Sequence, residues 1–381
     1  MSASTALRSV FTGSVIARIV LGWVAVLILS LASSFLASGL STPLVFLVLA
    51  AIVAVIIVCS GGVVTQAEHL AHRLGDPYGT LVLTLSIVAI EVILISAVML
   101  GPSDHQTIAR DSVMATVMIV LNLVIGLALI VGGMRHDNLR VNRTGISTYL
   151  SMLVVLIATA FAVPAVIGTD GSYNTGQAIT IITLTIVLYG FFLYRQTGAQ
   201  HGDYIEVMEA PGAAEEPAPH SPSIGVILRE YKGEILTRAV VLLITVIPIV
   251  LLSHDMASLL DDGLTRIGAP LALSGVIIAM IVFLPEAITT VRAAWQGEAQ
   301  RVTNLAHGAL VSCVGLTLPV VLAIGLVTNQ TVILAETPAN LVFLVISLLL
   351  SIATFTAHRV TAVHGSANLS VFVLYGLSVF A

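Results

Sequence analysis

Apolar residues gather along this chain in long blocks, and polar residues, glycine and proline collect in the short stretches between them. The blocks fall at roughly 14 to 38, 43 to 65, 79 to 100, 110 to 133, 146 to 167, 176 to 195, 236 to 253, 270 to 292, 303 to 328, 334 to 356 and 366 to 380. A helix of about 20 residues crosses a hydrocarbon core of about 30 Å, so the pattern predicts an all-α polytopic membrane protein with about eleven spans. The seventh and the last blocks are the shortest. The first ends in "FLASG", small residues of the kind that precede a cleavage site, but its apolar length predicts a retained span.

Composition agrees with that reading. Of 381 residues, 57% are hydrophobic and only 9% charged, too little polar surface to cover a water-soluble globule of this size. Cys59 and Cys313 both lie inside apolar blocks, and no zinc-type spacing occurs, so neither a disulfide nor a structural metal is expected. A net charge of −5 excludes a basic nucleic-acid surface. The partners expected are therefore the lipid bilayer and small solutes; oligomeric state is left open, a homo-oligomer included.

Basic residues orient the spans. Arg8, Arg18, Arg73, Arg135, Arg140, Arg143, Arg195, Arg229, Lys232, Arg238, Arg292, Arg301 and Arg359 fall on one side of an eleven-span arrangement, with Arg110 and Arg266 opposite. The positive-inside rule then places the amino terminus in the cytoplasm. Residues 196 to 235 break the apolar pattern, combining proline and alanine with five acids before Arg229, and read as an acidic, solvated cytoplasmic linker. The expected organisation is an N-terminal transmembrane helix (1–42), a first five-helix repeat (43–195), the linker (196–235) and a second five-helix repeat (236–381).

Of the twenty acids, two are placed mid-span: Glu91 in the third block and Glu286 in the eighth. "YGTLVLTLSIVAIEVILIS" and "LALSGVIIAMIVFLPEAIT" overlie each other without a gap, and each acid sits on the second of five helices once the first span is set aside. Five spans per half is an odd number, so the second half enters the membrane with opposite orientation. Inverted repeats of that kind build a midplane site at the interface between halves. An ionised carboxylate in hydrocarbon is unfavourable by about 3 kcal/mol on insertion scales, so each acid should face the other or a wet cavity. A cation and protons would then compete for one doubly negative site.

Further ligands are expected nearby. Pro285 lacks an N–H and displaces the carbonyl four residues earlier, at Ile281, freeing an oxygen beside Glu286. Thr84 and Ser86 precede Glu91, Thr116 and Asn122 lie on the fourth span, and Asn304, His307, Ser312 and Thr317 lie on or near the ninth. Each of these small polar groups also suits helix packing. Arg110 and Asp111 read as a surface cap. His69, His72 and Arg73 read as solvated groups at a membrane edge. No phosphate-binding glycine loop or nucleophile elbow occurs.

"GDPYGTLVLTLSIVAIEVILIS", followed by "ARDSVMATVMIVLNLVIGLALIVGG" and later by "FLPEAITTVRAAWQGEAQRVTNLAHGALVSCVGLTLPVVLAIGLV", resembles the two alpha-repeats of the calcium/cation antiporter superfamily, and most of all its bacterial ChaA-type calcium, sodium and potassium/proton antiporters. The resemblance implies a ten-helix core of two inverted five-helix halves in a bacterial inner membrane. It implies exchange of Ca2+, Na+ or K+ for H+ at a site containing Glu91 and Glu286, without a cofactor. The chain departs from well-known calcium/proton exchangers where they carry an asparagine before each repeat acid and a polar motif in the second repeat; here those positions read "SIVAIE", "IVFLPE" and "SCVGLT". These departures remove amide ligands and keep sodium and potassium open beside calcium. A passive cation channel and an intramembrane hydrolase are the alternatives. The first explains buried acids without proton coupling, and the second explains a carboxylate pair but no repeat.

Overall fold

A computed structural model describes residues 10–32, 40–74, 106–137, 139–206, 231–270 and 272–380, together with nine residues between 85 and 99, Glu91 among them. Its helices are α1 (Gly13–Leu31), α2 (Thr42–Leu74), α3 (Ile108–Arg135), α4 (Arg143–Ile167), α5 (Thr175–Thr197), α6 (Lys232–Arg266), α7 (Ala272–Gln296), α8 (Ala299–Thr328), α9 (Pro338–Thr356) and α10 (Ala362–Val379). Among the described residues, nine are long and apolar enough to cross a membrane. The remaining one, α7, is bent by 53° between Leu273–Leu284 and Glu286–Gln296, and counts as a tenth if it is a single span. The block expected at 79 to 100 lies largely outside the described residues, and those described within it are helical.

Local sequence sets the helix ends. Asn174 and Gln177 form a reciprocal capping box that starts α5, and Asn142 accepts from the N–H groups of Thr144 and Gly145 to start α4. Thr337 caps α9, with Pro338 at the first helical position where its missing N–H is harmless. Asn329 closes α8 in the left-handed conformation, φ 56°. The seventh block, expected to be short, is instead part of a 35-residue helix, α6. Its apolar part continues into His254, Asp255, Asp261 and Asp262, and Arg266 pairs with Asp262 one turn back. Local i,i+4 pairing thus extends the helix beyond the apolar block that marks it in sequence.

Helices α2 and α6, both over 30 residues, pack along each other, and α1 lies across the pair. Arg18 of α1 reaches the Gly61 carbonyl and the Thr65 hydroxyl of α2. A buried polar link, Arg238 bonded to Glu234 at 3.0 Å and to Gln66 at 2.8 Å, joins α6 to α2. The centre of the protein is α3 and α8. Helix α5 packs on α8, α10 packs on α3, and α7 lies against both α3 and α8. The α3–α10 crossing depends on glycine: a Cβ on Gly365 would stand 2.6 Å from the Gly126 carbonyl oxygen. Small residues let the two backbones touch, the usual means of packing where lipid supplies no hydrophobic drive.

Two spans carry a π-helical turn, Ile119–Val124 within α3 and Ala158–Ala162 within α4. Such turns are uncommon and occur often at functional sites. Between α8 and α9 the chain runs extended and is tied into the protein: Ile333 N–H donates to the Gln106 carbonyl, Ala335 N–H to that of Gly171, and Glu336 N–H to that of Phe161.

Candidate cation-binding site

Glu91 and Glu286 are 4% and 3% exposed in the centre of the helix bundle. Thr116 of α3 donates its hydroxyl to Glu91 Oε1 at 3.0 Å. The Cys313 thiol of α8 faces the same carboxylate, with Thr317 beside it one turn further along the helix. Glu286 arrives on α7, close enough for the charge of Glu91 to act on it and for its own charge to act on Cys313. Four segments therefore converge: the helical stretch around Glu91, α3, α7 and α8.

The oxygens left over define what the site can do. Among the described residues, Glu91 Oε2 has no nitrogen or oxygen donor, and neither oxygen of Glu286 has one. Thr290, one turn beyond Glu286 on α7, is fully buried with its hydroxyl unbonded. Buried acceptors without partners are rare because their desolvation is uncompensated, and a missing proton or ion is one physical remedy. Three carboxylate oxygens and a hydroxyl form a hard, oxygen-rich set suited to an alkali or alkaline-earth cation. No three of the described His, Cys, Asp or Glu side chains group as a metal cage. A pair of acids suits an ion that comes and goes better than one permanently held.

The other residues expected at the site are placed as follows. Asn122 lies in the π turn of α3 and commits its amide to Ser347 of α9 at 2.8 Å, while its Oδ1 has no bond. Ser312 accepts from the Tyr189 hydroxyl of α5 at 2.9 Å and so points away from Glu91. Asn304, nine residues before Cys313 and about 13 Å along α8, bonds to Gln300 and to the Tyr204 carbonyl. His307, fully buried, lies about 9 Å along the helix from Cys313, with Tyr149 and Phe355 around its ring. Neither Asn304 nor His307 is brought to the carboxylates; α8 is so long that these groups near its start stand more than one and a half turns from Cys313 at its middle. Thr84 and Ser86 lie outside the described residues. Ile281 is partly buried one turn before the bend in α7, and Pro285 falls between the two bent segments.

Sequence reading overlooked Cys313, because it asked of cysteine only whether it could pair or hold zinc. It also passed over Thr290, although an i,i+4 relation to Glu286 puts the two on one helix face. Two polar clusters beyond the bundle centre were unforeseen as well. At the end of the bundle where α8 begins, the start of the supposedly solvated linker is folded: His201–Tyr204 forms a 3₁₀ turn and Tyr204 is buried against Tyr149 and Phe192. Glu206 then accepts from the backbone N–H groups of Gln300 at 3.1 Å and Arg301 at 3.2 Å, capping α8. A Cβ on Gly145 would collide with the Asp203 carbonyl oxygen, so α4 needs glycine for this turn to dock. Burial pushes the Glu206 carboxyl above its usual range, against the pull of those N–H groups.

At the opposite end, Arg110 and Asp111 are more than a surface cap. Arg110 bonds to Asp111 at 2.8 Å and to the Ala335 carbonyl at 3.1 Å, and stands 3.8 Å from Glu336. Glu336, 5% exposed, accepts from Thr337 N–H and from the Asn340 amide through Oε2. Burial raises its carboxyl, and Asn340, Thr337 and Arg110 draw it back.

Comparison with known proteins adds an independent line. A family model described as sodium/calcium exchanger protein matches residues 44–198 and 237–381. The chain is 34% identical over 315 residues to y4hA of Sinorhizobium fredii, covering 82% of this chain and 83% of that one. It is 31% identical over 323 residues to the sodium-potassium/proton antiporter ChaA of Escherichia coli, covering 84% and 85%. Its fold is similar to the crystal structure of the Ca2+/H+ antiporter protein YfkE, with a TM-score of 0.66 at 16% identity over 96% of this chain and 98% of that one.

Proposed function

We propose, from the premise that the chain belongs to the sodium/calcium exchanger protein family of the calcium/cation antiporter superfamily, that it exchanges a metal cation for protons by alternating access at a site shared by Glu91 and Glu286. Membership makes the protein a membrane transporter rather than an enzyme. One observation carries the finer reading. Two acids, each more than nine-tenths buried, approach each other from the two separately matched segments, with three of their four oxygens lacking nitrogen or oxygen donors among the described residues. Such a pair is relieved either by protons or by a cation, and that competition is the coupling an antiporter needs.

The matched segments support a division into an N-terminal helix (1–42), halves at 43–195 and 236–381, and a linker at 196–235. Reciprocal packing, α5 on α8 and α10 on α3, is what a two-fold relation between halves of opposite orientation would produce. The basic residues favour a cytoplasmic amino terminus in a bacterial inner membrane. For substrate, the set around the carboxylates holds hydroxyls and a thiol, with no amide among the described residues. The sequence departures that remove amide ligands put Na+ and K+ first among the cations proposed, with Ca2+ third. The relative named as a sodium-potassium/proton antiporter supports the same order.

The experiment is a cation panel on proteoliposomes over a pH series, with Glu91→Gln and Glu286→Gln as controls. Proton release on addition of Na+ or K+, absent in both variants, is the expected result. Full exchange in either variant removes that acid from the site, and conductance independent of a proton gradient replaces the antiporter with a channel.

A further inference from the structure

A small cavity adjoins the residues that precede the Arg110 cluster in the chain. The cavity, of about 10 Å³, is lined mostly by apolar residues, Ala109 and Val113 of α3, Phe161 of α4, Leu318 of α8 and Leu334 of the extended segment among them, with Thr317 of α8. That is about the least room one water molecule occupies, so no open path for a hydrated cation runs through it. Its two ends are informative. Ala109 and Leu334 immediately precede, in the chain, the two sides of the charged cluster: Arg110 with Asp111, and Ala335 with Glu336. At the other end Thr317 is one turn from Cys313, which faces Glu91, and Val113 is one turn from Thr116, which bonds to it. The same faces of α3 and α8 thus descend from the charged cluster to the buried carboxylates.

Arg110 bridges the two matched halves across this mouth. It leaves α3, in the first, and holds the Ala335 carbonyl and the Glu336 carboxylate in the second. Thr107 fixes the far oxygen of Asp111 at 2.9 Å, which steadies the near oxygen for the guanidinium. Glu336 Oε2 is occupied by Thr337 and Asn340, but among the described residues Oε1 has no hydrogen bond and only the 3.8 Å approach of Arg110. Its side chain is 1% exposed, so this oxygen faces inward, toward protein rather than bulk water.

We propose that Arg110 is a tethered cation that latches this mouth of the transport path shut, and that Glu336 receives the charge of an arriving cation when the guanidinium swings away. The proposal rests on the cation-exchange reading above. Its logic is competition. A guanidinium held by one carboxylate, one carbonyl and one loosely approached second carboxylate satisfies those groups while no substrate is present. A hard cation attracted to the same oxygens weakens the hold, so the signal that opens the gate is the substrate's own charge. Because the latch joins the two halves, its release also frees them to move relative to one another, as alternating access requires.

The test reads access rather than flux. Leu334→Cys is introduced into the full-length protein in proteoliposomes and labelled with a membrane-impermeant maleimide from the Arg110 face, and labelling at that residue is read by mass, apart from the buried Cys59 and Cys313. With the latch intact, labelling is slow and rises with added Na+ or K+. Arg110→Gln is expected to speed it roughly tenfold, the consequence of losing a charge-assisted hydrogen bond, and to abolish the cation effect. Glu336→Gln, which keeps an oxygen for Thr337 and Asn340, should also abolish the cation effect. Unchanged labelling in Arg110→Gln overturns the latch. So does an equal rise at a reference cysteine placed at buried Leu264, near the same end of the bundle but outside the cavity lining, since that reports general loosening. Neither readout requires transport: a protein that fails to exchange cations for protons but shows the latch behaviour rejects the function, and the converse rejects the latch.

Discussion

Replacing Thr116 by valine removes one hydroxyl from the centre of the protein and almost nothing else. The two side chains have nearly the same shape, and Thr116 is 1% exposed, so no water can step in for the lost donor. What disappears is the 3.0 Å bond to Glu91 Oε1. A hydrogen bond to a charged group contributes about 1.5–3 kcal/mol and one to a neutral group about 0.5–1.5, so the ionised, cation-holding form of Glu91 loses about 1–1.5 kcal/mol more than the protonated form. That difference corresponds to a rise of roughly five- to tenfold in the cation concentration for half-maximal exchange at fixed pH. Maximal exchange at saturating cation should change far less, because both carboxylates remain. The assay is cation-driven proton release from proteoliposomes of purified, monodisperse protein, with Thr116→Ser as the control that keeps the hydroxyl and should stay near wild type. A half-saturation in Thr116→Val equal to wild type, in protein of equal thermal stability, would refute the argument that this hydroxyl favours the cation-bound form.

Three further outcomes follow from other parts of the molecule. Pro285→Ala restores a backbone donor at the 53° bend in α7, and if the Ile281 carbonyl is a ligand, apparent cation affinity falls while Glu91 and Glu286 still bind protons; lower yield with unchanged affinity would assign the proline to packing alone. Gly365→Ala drives a methyl to 2.6 Å from the Gly126 carbonyl oxygen, so α10 must shift away from α3, and thermal unfolding in detergent should show a loss of about 1–3 kcal/mol; an unchanged midpoint would mean that the crossing is looser than described. Glu206, whose carboxyl is raised above its ordinary 4.5 chiefly by burial, binds its proton more tightly folded than unfolded, so its contribution to stability is greatest below 4.5 and declines as pH rises through the raised value. In Glu206→Gln that decline is absent, and stability compared with wild type between pH 4.5 and 7 should move in the variant's favour as pH rises; parallel curves would contradict the assignment.

Sequence by itself determined the features set by one segment's chemistry. An apolar block must become a helix in lipid, where every backbone polar group needs an internal partner, so α1 to α10 were legible as spans from composition and length. Glu91 and Glu286 were legible for the same reason: a carboxylate in the middle of such a block stands out against hydrocarbon. Tertiary structure decided what depends on which side chains meet. Nothing local distinguishes Asn304, tied to Tyr204 and Gln300, from Thr116, tied to Glu91, since both are small polar groups on apolar helices. Cys313 was invisible as a site neighbour because its partner lies more than 200 residues away in the chain. Glu206 read as a linker acid and Glu336 as a span-end acid until folding laid one on the start of α8 and drew the other under Arg110. Burial of a loop residue is a property of what packs over it, and the residues that do so come from elsewhere in the sequence.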